Sequence, residues 1–506
     1  MAKTKTTDVL VIGGGVNGTG IARDLAGRGL SVMLCEKDDL ASATSSASTK
    51  LIHGGLRYLE YKEFRLVRES LIERGVLLRA APHIIWPMTF VLPHHKKLRP
   101  WWLIRLGLFV YDHLGGRRVL AASKGLSFAG TKFGQPLKTA FKRGFSYADC
   151  WVDDARLVVL NALDAHEKGA QILTRTECVS LDRHPKEPGW VATLLDHITE
   201  TKSKVHVQLV VNAAGPWVNK VLGLVDEGVE KHKVRWVKGS HIIVPRIYQG
   251  EQAYILQNTD HRVVFAIPYE KKYTLIGTTE AEYHGSLEEV RITVKEVEYL
   301  CQAANQYFRH QIKPEDVEWT YSGVRPLLED GTEQASAVTR EYAIDVTEYQ
   351  GGPVLSVYGG KITTFRKLSE QAGEKVVALL GRGRGNWTEN ACLPGGEGSA
   401  ANFETFYKTL RREYNWLPEA LVHRYARAYG ARAREFLRGF KRLADLGEHL
   451  GDQVYEVEIS YLVNVEWALT LDNILWRRSK LGLHVSEETQ KNIKKLLKKI
   501  LTKKEE

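Results

Sequence analysis

The chain is short of several features that would have assigned it a class at once. Its 506 residues contain five cysteines (Cys35, Cys150, Cys178, Cys301 and Cys392) and no CxxC pair. That spacing excludes a zinc ribbon and a dithiol redox motif, and no metal centre is expected. Scattered single cysteines fit a reducing compartment, and a chain this long folds without disulfide staples. Cys35, inside an apolar run, reads as a small core residue. No stretch of 18 uninterrupted apolar residues occurs, so no transmembrane helix is expected. The apolar run Val9–Ile12 is too short for a signal-peptide core, and glycines follow it at once. Internal repeats and low-complexity tracts are also missing.

What is present is ordinary for a folded protein: 43% hydrophobic and 26% charged residues. The length suggests about three domain-sized units. Lysine and arginine number 71 against 60 acidic residues, a net charge of +11. That bias suits nucleic acid, anionic lipid or anionic metabolites and does not choose among them.

The N-terminal pattern is more informative. Asp8–Ile12 reads as a buried strand, Gly13–Gly18 as a turn, Thr19–Arg28 as a helix ended by Gly29, and Ser31–Cys35 as a second strand. Gly13, Gly15 and Gly18 have the G-x-G-x-x-G spacing. Gly13 permits the tight turn, Gly15 lets the backbone approach a pyrophosphate, and Gly18 lets the helix pack on the strand. The helix N-terminus then offers N–H groups to phosphates. Glu36, at the end of the second strand, stands where an acid accepts ribose hydroxyls and disfavours a 2′-phosphate. This predicts a dinucleotide site.

Two distant segments favour FAD over NAD. Val210–Trp217 is a strand ending in small residues, and Val357–Lys361 is another ending in paired glycines. In a doubly wound sheet both ends would lie beside the first loop, which suits a long cofactor crossing all three. Further along, helices are expected at Tyr61–Ala80, Ala155–Gly169 and Leu287–Tyr307. Pro82 and Pro87 read as breakers, and Pro93–Pro100 as a basic loop. The last ~120 residues read as mostly helical.

Six segments then narrow the reading. Ser45–Tyr58 (SSASTKLIHGGLRY), Asp149–Leu157, Lys238–His241, Gly277–Thr279, Tyr321–Pro326 and Gly359–Lys361 resemble signature segments of the FAD-dependent glycerol-3-phosphate dehydrogenases. The likeness runs from Asp8 to about Leu368 and is weaker through the helical end. It implies oxidation of the C2 hydroxyl of glycerol 3-phosphate to the ketone of dihydroxyacetone phosphate, with hydride passing to FAD and electrons to a quinone. A related oxidase, passing electrons to oxygen, is the alternative within the class. The implied fold is α/β: a doubly wound FAD-binding domain assembled from discontinuous segments (1–80, 145–235 and 350–381), an inserted mixed-sheet substrate domain (81–144 and 236–349), and a C-terminal helical domain (386–506).

With the resemblance, the expected FAD contacts are Gly13, Gly15, Asn17, Gly18, Glu36, Ser45, Ser46, Ser48, Lys50, Leu51, His53, Gly215, Trp217, Gly359, Gly360, Lys361, Ile362 and Thr363. A dianionic phosphate needs fixed cations, and arginine's planar fork grips it with paired hydrogen bonds. Arg325 is the first choice, in both binding and catalysis, with Arg57 and Lys361 near it and Arg340 a weaker candidate. Tyr58 and Thr278 are expected to hydrogen-bond substrate oxygens. Hydride loss requires a base for the hydroxyl proton, and histidine titrates in the right range. Among 17 histidines, His53 stands out, because Gly54 and Gly55 allow close approach. His241 competes with it, and another group or water is the third option.

Trp101–Tyr111 is apolar and flanked by Lys96, Lys97, Arg99, Arg117 and Arg118. It reads either as an anchor on an anionic membrane surface or as a core helix beneath a basic loop. In the tail, Ile493, Leu496, Leu497, Ile500 and Leu501 share one helical face with lysines opposite, either a second basic anchor or a terminal helix packed on the body. A nucleic-acid-binding flavoprotein, such as an RNA-modifying enzyme, is the rival of another class. No recognised nucleic-acid motif is present, and no such partner is expected. The expected place is peripheral, on the cytoplasmic face of the cell membrane, with a homodimer among the assemblies open to it.

Overall fold

The strand Lys5–Ile12 sets the architecture through its period-two alternation. Val9 and Val11 face one hydrophobic layer with residues of the helices Val16–Gly27, Asp154–Glu167 and Phe365–Leu380. Leu10 and Ile12 face the other, against Cys178, Leu181 and Trp190. A strand apolar on both faces belongs inside a parallel sheet covered on both sides. In this computed structural model, residues 5–95, 98–116, 119–225, 232–258, 260, 262–328, 341–398 and 402–505 are described.

The first sheet runs Tyr342–Tyr349, Gly352–Gly359, Lys202–Asn212, Lys5–Ile12, Val32–Cys35, Gln171–Leu173. All neighbours are parallel except the first pair. Thr176–Arg183 and Trp190–Asp196 form an antiparallel extension from Lys202–Asn212. The second sheet is mixed and has ten strands among the described residues. Near one edge of it, Val234–Pro245 is paired with Tyr273–Gly277 on one side and Trp319–Leu328 on the other. The helices Phe403–Glu413, Glu419–Tyr429, Glu456–Val465 and Glu487–Glu505 build a separate C-terminal core around Phe406, Tyr425, Ile459 and Leu496.

Several local expectations are corrected. Ile85–His94 is a ten-residue strand running through Pro87 and Pro93. The helix expected from Leu287 begins at Val294, where Thr293 and Glu296 form a capping box. The strand Arg143–Val152 and the short strand Leu51–Ile52 lie in the second sheet, and Tyr342–Tyr349 lies in the first. The sheets therefore exchange chain at other points than 145 and 350. In the tail helix, Ile493, Leu496 and Leu497 are buried in the C-terminal core, and the exposed face is mostly lysine. No helix among the described residues is long and apolar enough to cross a membrane. All five cysteines are free thiols, and only Cys392 is exposed.

Candidate active site

Parallel strands end on the same side, so the loops after Ile12, Asn212 and Gly359 meet at one edge of the first sheet. The contacts are close. Gly13 has φ +115, and a side chain there would place Cβ 2.6 Å from the Ala213 carbonyl oxygen. The Asn17 Nδ2 donates to the Gly359 carbonyl at 3.3 Å. Gly18 lies beneath the loop, where a Cβ would come within 1.9 Å of the Gly13 carbonyl oxygen. Ser45 Oγ accepts the Val16 N–H at 2.9 Å, fixing the serine-rich segment over the helix start.

Glu36 closes the same edge. Its carboxylate accepts the Gly14 N–H at 2.6 Å and the Asp38 N–H at 2.8 Å. Burial outweighs these donors and pushes its pKa up to about 6. The three loops open on a cavity of about 1430 Å³ that extends to the second sheet. A backbone-lined cradle at a helix start, joined to a deep cavity, has the shape and donors that FAD requires.

The cavity gathers most of the expected residues. Gly13, Gly15, Asn17, Glu36, Ser45, Ser48, Leu51, His53, Gly215, Trp217 and Gly359 to Thr363 all line it, as do Arg57, Tyr58, Thr278 and Arg325. Arg325 Nη2 donates to Thr278 Oγ1 at 3.3 Å. Glu280 lies between the two guanidiniums, 3.7 Å from Arg325 and 3.9 Å from Arg57. The Lys361 ammonium sits 3.8 Å over the Tyr58 ring, a cation–π contact. The His53 backbone is clamped to Thr363, whose hydroxyl accepts the His53 N–H at 3.2 Å.

Among the described residues, four expected ones do not line the cavity: Gly18, Ser46, Lys50 and His241. Lys50 is buried and turned away, its ammonium 2.7 Å from Asp154 Oδ1 and 3.0 Å from the Ser46 carbonyl. It is a structural ion pair, and burial lowers its pKa. His241 is completely buried, stacked on Tyr321 at 4.7 Å. Its Nε2 shares a hydrogen bond with Thr49 Oγ1 at 2.9 Å, and Thr49 is the residue that faces the cavity. Burial, then Arg325 and Lys50, drive its pKa well below the ordinary value. A histidine so placed is neutral, and its hydrogen bond to the cavity is the one to Thr49. Arg340, Lys96, Lys97, Arg117 and Arg118 lie outside the described residues.

Other contributors carry no motif of their own in the sequence. The Gly54 N–H donates to Tyr111 Oη at 2.8 Å, and Tyr111 donates to Asp149 Oδ2 at 2.8 Å. Arg74 Nη1 completes the set at 2.5 Å from Asp149 Oδ1. This buried network fixes the turn that carries His53. Asp149 opens one of the recognised segments, and Glu280 directly follows another, so proximity to those segments was the available signal. Elsewhere, His184, Glu187 and His206 are grouped closely enough to hold a metal ion. Two of their nitrogens are already used: His184 Nδ1 accepts the Glu187 N–H at 2.9 Å, and His206 Nε2 lies 3.3 Å from the Pro188 carbonyl. The group staples a turn.

The helix Trp101–Leu114 forms a further wall of the cavity through Leu103, Ile104, Gly107 and Val110. It buries Leu108 and Tyr111, and exposes Trp102 (66%) and Phe109 (52%) outside the cavity, while the equally exposed Leu106 (52%) also lines it. Tyr61 and Phe64, also exposed, continue this apolar surface at the cavity wall. The helix is therefore not enclosed in the core.

Residues 8–366 match the FAD dependent oxidoreductase family. The chain belongs to that family. Residues 386–504 match the C-terminal domain of alpha-glycerophosphate oxidase. A D-erythritol 1-phosphate dehydrogenase of Brucella abortus is 53% identical over 487 residues, covering 96% of this chain and 97% of that protein. A glycerol-3-phosphate dehydrogenase of Pseudomonas aeruginosa is 51% identical over 484 residues, covering 96% and 93%. A crystal structure of the glycerol-3-phosphate dehydrogenase from Bacillus halodurans, complexed with FAD, superposes with a TM-score of 0.74 at 26% identity, covering 99% of this chain and 95% of that one. The fold is thus that of an FAD-dependent oxidoreductase with mixed sheets and a C-terminal helical domain, within the branch that contains the glycerol-3-phosphate dehydrogenases. FAD is its cofactor.

Proposed function

We propose that this protein oxidises glycerol 3-phosphate to dihydroxyacetone phosphate and passes the electrons through FAD to a membrane quinone. The observation that carries the reading is the meeting of Arg57, Arg325, Lys361 and His53 on one cavity with the three strand-end loops. Arg57 and Arg325 flank the Glu280 carboxylate, and with Lys361 they bring to the cavity the cationic groups that suit a dianionic phosphate. Arg325 and Arg57 hold the phosphate, Thr278 and Tyr58 orient the carbon chain, and His53 takes the C2 hydroxyl proton. FAD, when bound, supplies the hydride acceptor. Glu36 would accept the ribose hydroxyls of its adenosine half. His241 keeps Thr49 in place and takes no proton.

The relative at 53% identity supports a second reading, in which the substrate is D-erythritol 1-phosphate. Anaerobic stopped-flow mixing of the holoprotein with each polyol phosphate separates the two, because the true substrate bleaches the flavin absorbance at the faster rate. Reoxidation by quinone but not by air supports the dehydrogenase, and fast reoxidation by air would make it an oxidase. In the same experiment His53→Ala should slow flavin reduction by ~10²–10⁴, the usual contribution of a positioned base. An unchanged rate would remove His53 from that role.

The exposed face of Trp101–Leu114 supports a membrane quinone as acceptor, since it joins an apolar surface to the cavity wall. Each Leu or Phe buried at a lipid boundary contributes ~1.5–3 kcal/mol. The double variant Trp102→Glu/Phe109→Glu, at two exposed positions that do not line the cavity, should therefore bind anionic liposomes ~100-fold more weakly while reducing a soluble dye at the parental rate. Sedimentation with liposomes checks this, and undiminished binding would place the contact elsewhere.

A further inference from the structure

We infer that Arg478, assisted by Arg477, is a positioning residue for the cofactor: from the C-terminal domain it holds the segment 36–42 that walls the dinucleotide end of the cavity. The inference rests on the FAD site and not on the identity of the substrate.

Asp39 lies three residues after Glu36, and its carboxylate is 2% exposed. Arg478 grips it with both arms of the guanidinium, Nη1 to Oδ2 and Nη2 to Oδ1, each at 2.7 Å. Arg477 Nε adds a third bond to Oδ2 at 2.7 Å. Burial alone would push the Asp39 carboxyl up, but the two arginines hold it below its ordinary value. Arg478 is itself fully buried, and its remaining donors reach carbonyls of its own domain, Nε to Glu466 at 2.8 Å and Nη2 to Trp467 at 3.2 Å. The fork is thus fixed from behind and aimed at a single target. The same Glu466 pairs through its carboxylate with buried Arg156 of the helix Asp154–Glu167, Nη2 to Oε1 at 2.9 Å. The two domains are therefore joined by charge at two buried points.

What Asp39 anchors is the cofactor wall. The Ser42 N–H donates to the Asp39 carbonyl, and the Ala41 N–H donates to the Gly14 carbonyl, both at 3.1 Å. Glu36 grips the Gly14 N–H from the same segment. Lys37, Asp38, Ala41 and Ser42 line the cavity. A buried carboxylate deprived of its guanidiniums must either protonate or move to water, and moving carries this turn away from Gly14. By reciprocity, FAD that orders the turn also tightens the C-terminal domain on the body.

The test uses full-length apoprotein reconstituted with FAD, with the dissociation constant read from flavin fluorescence. Arg478→Lys keeps the charge and loses the fork, and should weaken FAD binding roughly tenfold or more. Arg477→Ala, which removes one of the three bonds, should weaken it by about threefold and guards against a failure of the first variant to fold. The control is Arg432→Ala, which cuts another link between the same domains, Arg432 to the half-exposed Glu167 at 2.5 Å, and should change FAD affinity by less than about twofold. The thermal shift produced by adding FAD should shrink in the same order. Unchanged affinity in Arg478→Lys and Arg477→Ala, or an equal loss in Arg432→Ala, overturns the inference. Activity on polyol phosphates does not enter, so a wrong substrate would leave this result standing.

Discussion

Gly18→Ala is expected to give a protein that no longer retains FAD. An alanine methyl at this position would lie 1.9 Å from the carbonyl oxygen of Gly13. Backbone atoms cannot yield as a flexible side chain does, so the helix start and the loop must separate by roughly 1 Å, a displacement that is costly wherever geometry is preorganised. The loop has no room to retreat. The Gly13 N–H is bound to the Cys35 carbonyl at 2.9 Å, and the Ala213 N–H donates to the Ile12 carbonyl at 2.9 Å. The phosphate cradle depends on the helix N–H groups staying in register with that loop. The ratio of flavin to protein absorbance in the purified variant checks this, and ~10% or less of the parental flavin is expected. Parental flavin content would show that the cradle is softer than its packing implies.

Arg325→Ala should reduce kcat/KM for the polyol phosphate by ~30- to ~5000-fold, the range for losing one partner of a desolvated charge pair worth ~2–5 kcal/mol. Most of the loss should appear in KM, because the phosphate is bound in ground and transition states alike. Arg325 stands on the strand Trp319–Leu328, paired opposite Val237, and reaches Thr278 from there. Its guanidinium is partly exposed to the cavity at 24%, so removing it should leave the melting temperature nearly unchanged. Arg325→Lys should recover part of the loss, since it restores charge without the paired hydrogen bonds. Steady-state kinetics on the three proteins decides the point. An Arg325→Ala enzyme with parental KM would move phosphate binding to Arg57 and Lys361.

Features governed by short-range sterics were readable from residue order. A glycine triplet between an apolar strand and a helix has few conformational solutions, and an acid at the next strand end can reach only one place. The same logic found the strands ending at Asn212 and Gly359, because small residues after an apolar run mark a tight turn wherever it falls. Prolines misled for the converse reason. Pro87 and Pro93 are poor strand residues in isolation, yet Ile85–His94 is held along its whole length by Arg143–Val152, and cross-strand partners override local preference.

The histidines and Lys50 mark where residue order stops being enough. His53 and His241 both stand near glycines, but His241 lies on a strand flanked on both sides, opposite Gly277 and Tyr321, and that pairing buries its ring. Lys50 sits inside a recognised segment and still turns to Asp154, 104 residues away. The grip of Arg478 on Asp39 spans 439 residues, and no local pattern announces it.

The amino-acid sequence by itself determined that three glycine- or alanine-rich strand ends would serve one FAD cofactor, since backbone sterics act within a few residues. Only the tertiary structure decided which side chains face that cavity, which are spent holding it together, and that the C-terminal domain is bound by buried charge to the cofactor wall. Orientation and burial belong to strand register and domain contact, and both are settled by residues far away along the chain.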